Sequence, residues 1–147
     1  MTRVLFYVQH LLGTGHLKRA VLLADAMTRR GLTVTLVSGG FPVPGLVPAV
    51  ARWIQLPPVA TADLAFKSLI DTQGRAVDAP FREARKQALM AVWREIDPQM
   101  LLIELFPFGR RQMRFELLPL LETARRSSTP PLIVSSVRDV LGGGQGD

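Results

Sequence analysis

The residues best suited to chemistry fall in three separated stretches. The first is His10-Leu11-Leu12-Gly13-Thr14-Gly15-His16-Leu17, which holds both histidines of the 147-residue chain. Gly13 and Gly15 allow a tight turn and a close approach of backbone to ligand. A helix opening at this point would present free N–H groups and the positive end of its dipole to a phosphate or carboxylate. His16, at that opening, reads either as a general base or hydrogen-bond donor to a reacting group, or as a capping or core-satisfied imidazole. His10 reads as structural. The second stretch is Glu104-Leu105-Phe106-Pro107-Phe108-Gly109-Arg110-Arg111. A carboxylate that ends an apolar run is costly unless it is paired or functional. Arg110 and Arg111 have the forked donors that clamp phosphate oxygens, or else form an internal ion pair with Glu104. The third is Ser135-Ser136-Val137-Arg138-Asp139. Ser136 and Arg138 are candidate ligand contacts, and the alternative is a local Arg138–Asp139 pair. No G-x-S-x-G elbow surrounds the serines, which argues against a serine nucleophile.

These stretches need a scaffold, and the hydrophobic pattern supplies one. Val4–Gln9, Thr33–Ser38, Arg52–Leu56, Met100–Glu104 and Leu132–Ser136 read as short buried strands. Leu17–Arg30 reads as a helix with Leu17, Ala20, Val21, Ala24 and Met27 on one face and Lys18, Asp25 and Arg29 off it. Gly31 suits its C-terminal stop. Pro80–Glu95 is a second helix, lined by Phe81, Ala84, Ala88, Val92 and Trp93. Gln112–Arg126 is a third, which Pro119 should kink or divide. Val59–Ala79 shows little periodicity and reads as a long loop. Continuous apolar strands alternating with helices predict an α/β, Rossmann-like, doubly wound parallel sheet. All three chemical stretches then follow strands at the carboxyl edge, where ligands of open α/β sheets bind.

Composition excludes several classes. The chain is 48% hydrophobic and 20% charged, with a mean hydropathy of +0.21, so it is not a disordered chain. It has no cysteine, which excludes a disulfide framework and thiolate metal sites, and two histidines make a poor metal cluster. A metal is therefore not expected. The Gly loop is neither G-x-G-x-x-G, because Lys18 stands at the third glycine and Ser38-Gly39-Gly40 ends the second strand without an acid, nor a Walker A loop. A nicotinamide oxidoreductase is disfavoured accordingly. The net charge of +6 suits anionic partners, but the cations are dispersed (Arg29-Arg30, Arg82/Arg85/Lys86, Arg110-Arg111, Arg125-Arg126) and read as solvated faces. No nucleic-acid recognition motif is present, so nucleic acid is not an expected partner. No apolar run approaches a membrane span and no signal peptide is evident. A cytoplasmic location is expected, with peripheral membrane contact through Phe41, Val43, Leu46, Val47 and the loop around Phe66 as one use of those residues, and sheet cover or contact with a further domain as the others.

Gly13-Thr14-Gly15-His16, set between a first strand and Leu17-Lys18-Arg19-Ala20, resembles the N-terminal loop of GT-B-fold glycosyltransferases. Glu104–Arg111 and Ser136-Val137-Arg138-Asp139 resemble segments of a predicted glycosyltransferase group related to the bacterial N-acetylglucosaminyltransferase that forms lipid II. One departure is that the lipid II enzyme has a longer, double-glycine loop before its histidine. The resemblance implies residues 1–141 as an N-terminal, acceptor-side Rossmann-like domain. Residues 142–147 would be a Gly-rich tail at a truncation point, and the donor-binding C-terminal domain would be absent or supplied by a separate subunit. It implies a nucleotide-sugar donor, no bound metal or other cofactor, and a glycan or lipid-linked acceptor. His16 would line the cleft near the reacting sugar, and Glu104 with Arg110 would hold acceptor groups. The chain alone would be inactive. The competing expectation is a non-catalytic Rossmann-like module that binds a phosphate-bearing ligand or a partner protein.

Overall fold

The computed structural model describes residues 2–61, 68–104 and 111–137. Arg110, Arg138, Phe66 and the 142–147 tail lie outside the described residues, and of Arg111 only the backbone is described. The elements run β1 (Arg3–Val8), α1 (Gly15–Arg29), β2 (Thr33–Ser38), β3 (Arg52–Gln55), β4 (Ala60–Thr61), β5 (Leu69–Ile70), α2 (Ala79–Ile96), β6 (Met100–Glu104), a 3-10 turn (Arg111–Met113), α3 (Arg114–Arg126) and β7 (Leu132–Ser136). Five strands form one parallel sheet in the order β3-β2-β1-β6-β7. This is the expected Rossmann-like fold. The chain winds outward from β1 to β3, then crosses back to β6, so the order reverses between β1 and β6. That is the topological switch point, the place at which open α/β sheets bind ligands.

Side chains alternate across a strand with period two, and the two faces have separate cores. Val4, Phe6, Val8, Val34, Leu36 and Leu102 meet Leu17, Ala20, Val21 and Ala24 of α1. Leu5, Tyr7, Val37, Leu101 and Ile103 meet Leu89, Val92, Trp93 and Ile96 of α2 and Leu117, Leu120 and Ala124 of α3. Leu102 faces α1, so Glu104, two residues on, must face α1 as well. Ser136 is its register partner on β7. Tyr7 and Gln9 are thereby committed to the opposite face.

Four expectations change. The loop predicted over Val59–Ala79 contains a small antiparallel pair, Ala60↔Ile70 and Thr61↔Leu69, too short to leave a period in the sequence. Pro119 does not divide α3, which runs unbroken from Arg114 to Arg126. A proline removes one N–H donor near the start of the helix, and buried Leu117, Leu120 and Ala124 hold both sides of it against the core. Asp25, placed on the polar side of α1, is buried and accepts the backbone N–H groups of Ala49 (2.8 Å), Val50 (3.0 Å) and Ala51 (3.0 Å). Burial alone would raise its pKa, but those three donors, with Arg29 nearby, hold it below the ordinary carboxylate value. Arg85, assigned to a solvated face, is completely buried. Val43 and Leu46 pack against the α1-side core, which is the sheet-cover reading of that segment, and Val47 remains exposed.

Candidate functional site

At the switch point the first two chemical stretches meet. α1 begins immediately after Thr14, whose carbonyl accepts Lys18 N–H at 2.9 Å, and no side chain caps the first turn. Gly13, Thr14 and Gly15 are exposed. A Cβ built at Gly13 would meet nothing within 4 Å, and its φ is not positive, so neither packing nor backbone conformation demands glycine there. His16, in the first turn, places Nδ1 3.0 Å from Oε1 of Glu104. Arg19 lies one turn further along the same helical face. Its guanidinium donates to Glu104 Oε2 at 3.2 Å and to Ser136 Oγ at 3.0 Å.

The Glu104 carboxylate is fully buried, whereas His16 and Arg19 keep side-chain exposures of 24% and 39%. A carboxylate removed from water must be compensated by charge and hydrogen bonds. Here one oxygen takes the imidazole and the other the guanidinium. When Nδ1 carries the hydrogen that Glu104 accepts, the lone pair of the neutral ring is on Nε2. Among the described residues no hydrogen bond to Nε2 is present. This is the logic of an oriented base, an imidazole held in one tautomer by a buried carboxylate.

Of the predicted site residues, the structure brings together Gly13, Thr14, Gly15, His16, Glu104 and Ser136. Among the described residues the arginine paired with Glu104 is Arg19; Arg110 and the Arg111 side chain, foreseen for that pairing, lie outside them. Arg19 had a signal in the sequence: three residues after His16, it must share that residue's helical face.

A second buried polar cluster underlies the rim on the other face of the sheet. Arg85 Nε lies 2.8 Å from Glu116 Oε1, with both side chains fully buried, and its NH2 reaches Glu116 Oε2 at 3.2 Å and Gln9 Oε1. NH1 donates to the carbonyls of Gly39 (2.9 Å) and Pro57 (3.0 Å). Tyr7 Oη donates to Glu116 Oε2 at 2.6 Å. One guanidinium therefore ties the segments that follow β1, β2 and β3 to α2 and α3. Burial raises the Glu116 pKa, against the lowering effect of Arg85 and the hydrogen bonds. Burial, reinforced by the charge of Glu116, raises Tyr7 well above the ordinary phenol value. The Gly39-Gly40 pair is explained here too. A Cβ on Gly39 would come within 1.8 Å of Arg85 NH2, and one on Gly40 within 2.3 Å of the buried His10 ring. Arg85 completes an i, i+4 row with Phe81 and Leu89, but its type argued for solvent.

No group of three His, Asp or Glu among the described residues could hold a metal ion, and none of their helices is long and apolar enough to cross a membrane.

No family model and no curated protein matches the chain. Solved structures do. SsfS6, a glycosyltransferase of Streptomyces sp. SF2575, aligns with a TM-score of 0.54 at 13% identity, over 93% of this chain and 39% of its own. CalG4, the calicheamicin glycosyltransferase, aligns at 0.53 and 16%, over 92% and 32%. A UGT transferase from Siraitia grosvenorii, crystallised with UDP, aligns at 0.50 and 20%, over 93% and 28%. The fold is one that glycosyltransferases share. This chain spans about a third of their length.

Proposed function

We propose that this chain is the acceptor-side half of a glycosyltransferase that moves a sugar from a nucleotide-sugar to an acceptor hydroxyl. The observation that carries the proposal is the His16–Glu104 pair at the switch point of a sheet shared with glycosyltransferases. Nε2 of His16 takes the proton of the acceptor hydroxyl as that oxygen bonds to the sugar's anomeric carbon. The bond from that carbon to the diphosphate breaks, and the leaving group departs with the electron pair. Glu104 orients the imidazole and stabilises the imidazolium that forms. The exposed N–H groups at the start of α1, beside Gly13, Thr14 and Gly15, are suited to an acceptor oxygen or to a diphosphate oxygen. In sequence, Arg110 and Arg111 come after β6, Ser136 ends β7 and Arg138 comes after it; these residues would line the acceptor or diphosphate side.

The remaining catalytic groups and most of the donor contacts belong to a second domain or subunit. The likeness of residues 104–111 and 136–139 to the group related to the lipid II-forming enzyme favours a glycan or lipid-linked acceptor, hence a cytoplasmic, membrane-peripheral setting.

The test is to incubate the purified 147-residue chain with UDP-hexoses and UDP-N-acetylhexosamines and a panel of hydroxyl acceptors, with and without a donor-binding domain. The chain alone should give no turnover, and transfer should appear only in the joined protein. Turnover by the chain alone refutes the half-enzyme assignment. Absence of transfer in both, with retained binding of a phosphate-bearing ligand, would replace it with the non-catalytic module.

A further inference from the structure

Arg19 has no part in the proton transfer just described, yet it takes half of the carboxylate on which that transfer depends. Its NH1 is 3.2 Å from Glu104 Oε2 and 3.0 Å from Ser136 Oγ, so it joins α1 to the ends of β6 and β7. The buried carboxylate requires positive charge nearby. Only two groups among the described residues supply donors to it, His16 and Arg19. A positive charge supplied by the imidazole itself would cost the base, because an imidazolium cannot accept a proton. A guanidinium is always charged and cannot take that role from substrate.

We infer that Arg19 is a positioning residue, the fixed counter-charge of Glu104 that releases His16 to serve as a neutral base. The inference rests on the proposed role of His16 as the base. Among the described residues, which leave out Arg110, the Arg111 side chain, Arg138 and Asp139, few charged or titratable groups lie around the imidazole. β6 contributes Glu104, α1 contributes Arg19 and the exposed Lys18, and β7 contributes the uncharged Ser136. The residues after β1, Gln9 and His10, are buried.

The experiment is nitrogen-15 NMR of the two ring nitrogens of His16 in the 147-residue protein. The two histidine spectra are assigned with His16→Gln. Wild type should show the Nδ1–H tautomer in the neutral ring. Arg19→Gln keeps a side-chain N–H for Oε2 but removes the charge, and Arg19→Lys keeps the charge. At about pH 7.5, Arg19→Gln should raise the ratio of doubly protonated to neutral His16, and Arg19→Lys should leave it near wild type. An unchanged ratio in folded Arg19→Gln overturns the inference while leaving the base assignment intact. A wild-type ring with its neutral proton on Nε2 instead sinks the base assignment itself. If Arg19→Gln does not fold, the Arg19→Gln/Glu104→Gln double variant decides. Removing both charges should restore the fold, and failure to do so overturns the charge argument.

Discussion

Arg85→Met is the most severe test of how the rim is held. Methionine keeps most of the volume of the arginine stem, so the change removes charge and hydrogen bonds more than packing. In wild type the guanidinium pairs with Glu116 through 2.8 Å and 3.2 Å contacts and satisfies the Gly39 and Pro57 carbonyls at 2.9 Å and 3.0 Å. Its loss leaves a fully buried carboxyl group with Tyr7 as its remaining donor, and two carbonyls without their guanidinium donor. Removing one partner of a buried pair costs about 3–5 kcal/mol, a large share of the ~5–15 kcal/mol that separates folded from unfolded domains. For a chain of this size the melting temperature should fall on the order of 6–20 °C. Urea denaturation followed by circular dichroism gives the free energy directly. The double variant Arg85→Met/Glu116→Leu removes the orphaned carboxyl and should be more stable than Arg85→Met by about 2 kcal/mol, the carbonyls still lacking their donor. A loss below about 1 kcal/mol in the single variant, the range of exposed ion pairs, or no recovery in the double, would refute this reasoning.

Two further predictions use pH. Burial and then the charge of Glu116 raise the Tyr7 pKa above its ordinary 10.0. The folded state therefore keeps a proton that the unfolded chain releases, and the stability from this group is full below the ordinary value and is lost as pH rises through the folded one. Tyr7 is the chain's single tyrosine, so absorbance at the tyrosinate band should rise only together with alkaline unfolding. Titration of the phenol in a still-folded protein would contradict this, and Tyr7→Phe should flatten the alkaline limb. Asp25 has the opposite sign. Its pKa is held below the ordinary 3.8, so its contribution is full above that value and is lost as pH falls through the folded one. Asp25→Asn should cost about 1–3 kcal/mol at neutral pH and flatten the acid limb of a urea-denaturation series. An unchanged acid limb would show that the cap on Ala49, Val50 and Ala51 contributes no stability.

The sheet was legible because its three central strands, β1, β2 and β6, are buried on both faces and read as unbroken apolar runs, which is how parallel strands announce themselves. The edges of elements shifted by one or two residues, as with β1 at Arg3–Val8 and α1 at Gly15–Arg29, where local propensity is weakest. The meeting of His16 with Glu104 was legible too, since both follow strands at the carboxyl edge. The polar partners were not. Asp25, Arg85 and Glu116 are buried charged residues and Arg19 a half-buried one; their placement is decided by tertiary contacts 24 to 117 residues away in sequence, and composition counts them as solvent-facing. That Pro119 does not divide α3 has a related reason: the apolar row on either side of it outweighs one missing hydrogen bond.

The central claim is that His16 takes the acceptor's proton while Glu104 orients it. It is tested most directly by the kcat of glycosyl transfer in the protein that joins this chain to a donor-binding domain, comparing wild type with His16→Ala. Loss of a general base should lower kcat by about 10²–10⁴-fold with the circular dichroism spectrum and melting temperature preserved. A kcat within about twofold of wild type, with the same folded spectrum, would contradict the account and make the His16–Glu104 bond a structural cap on α1.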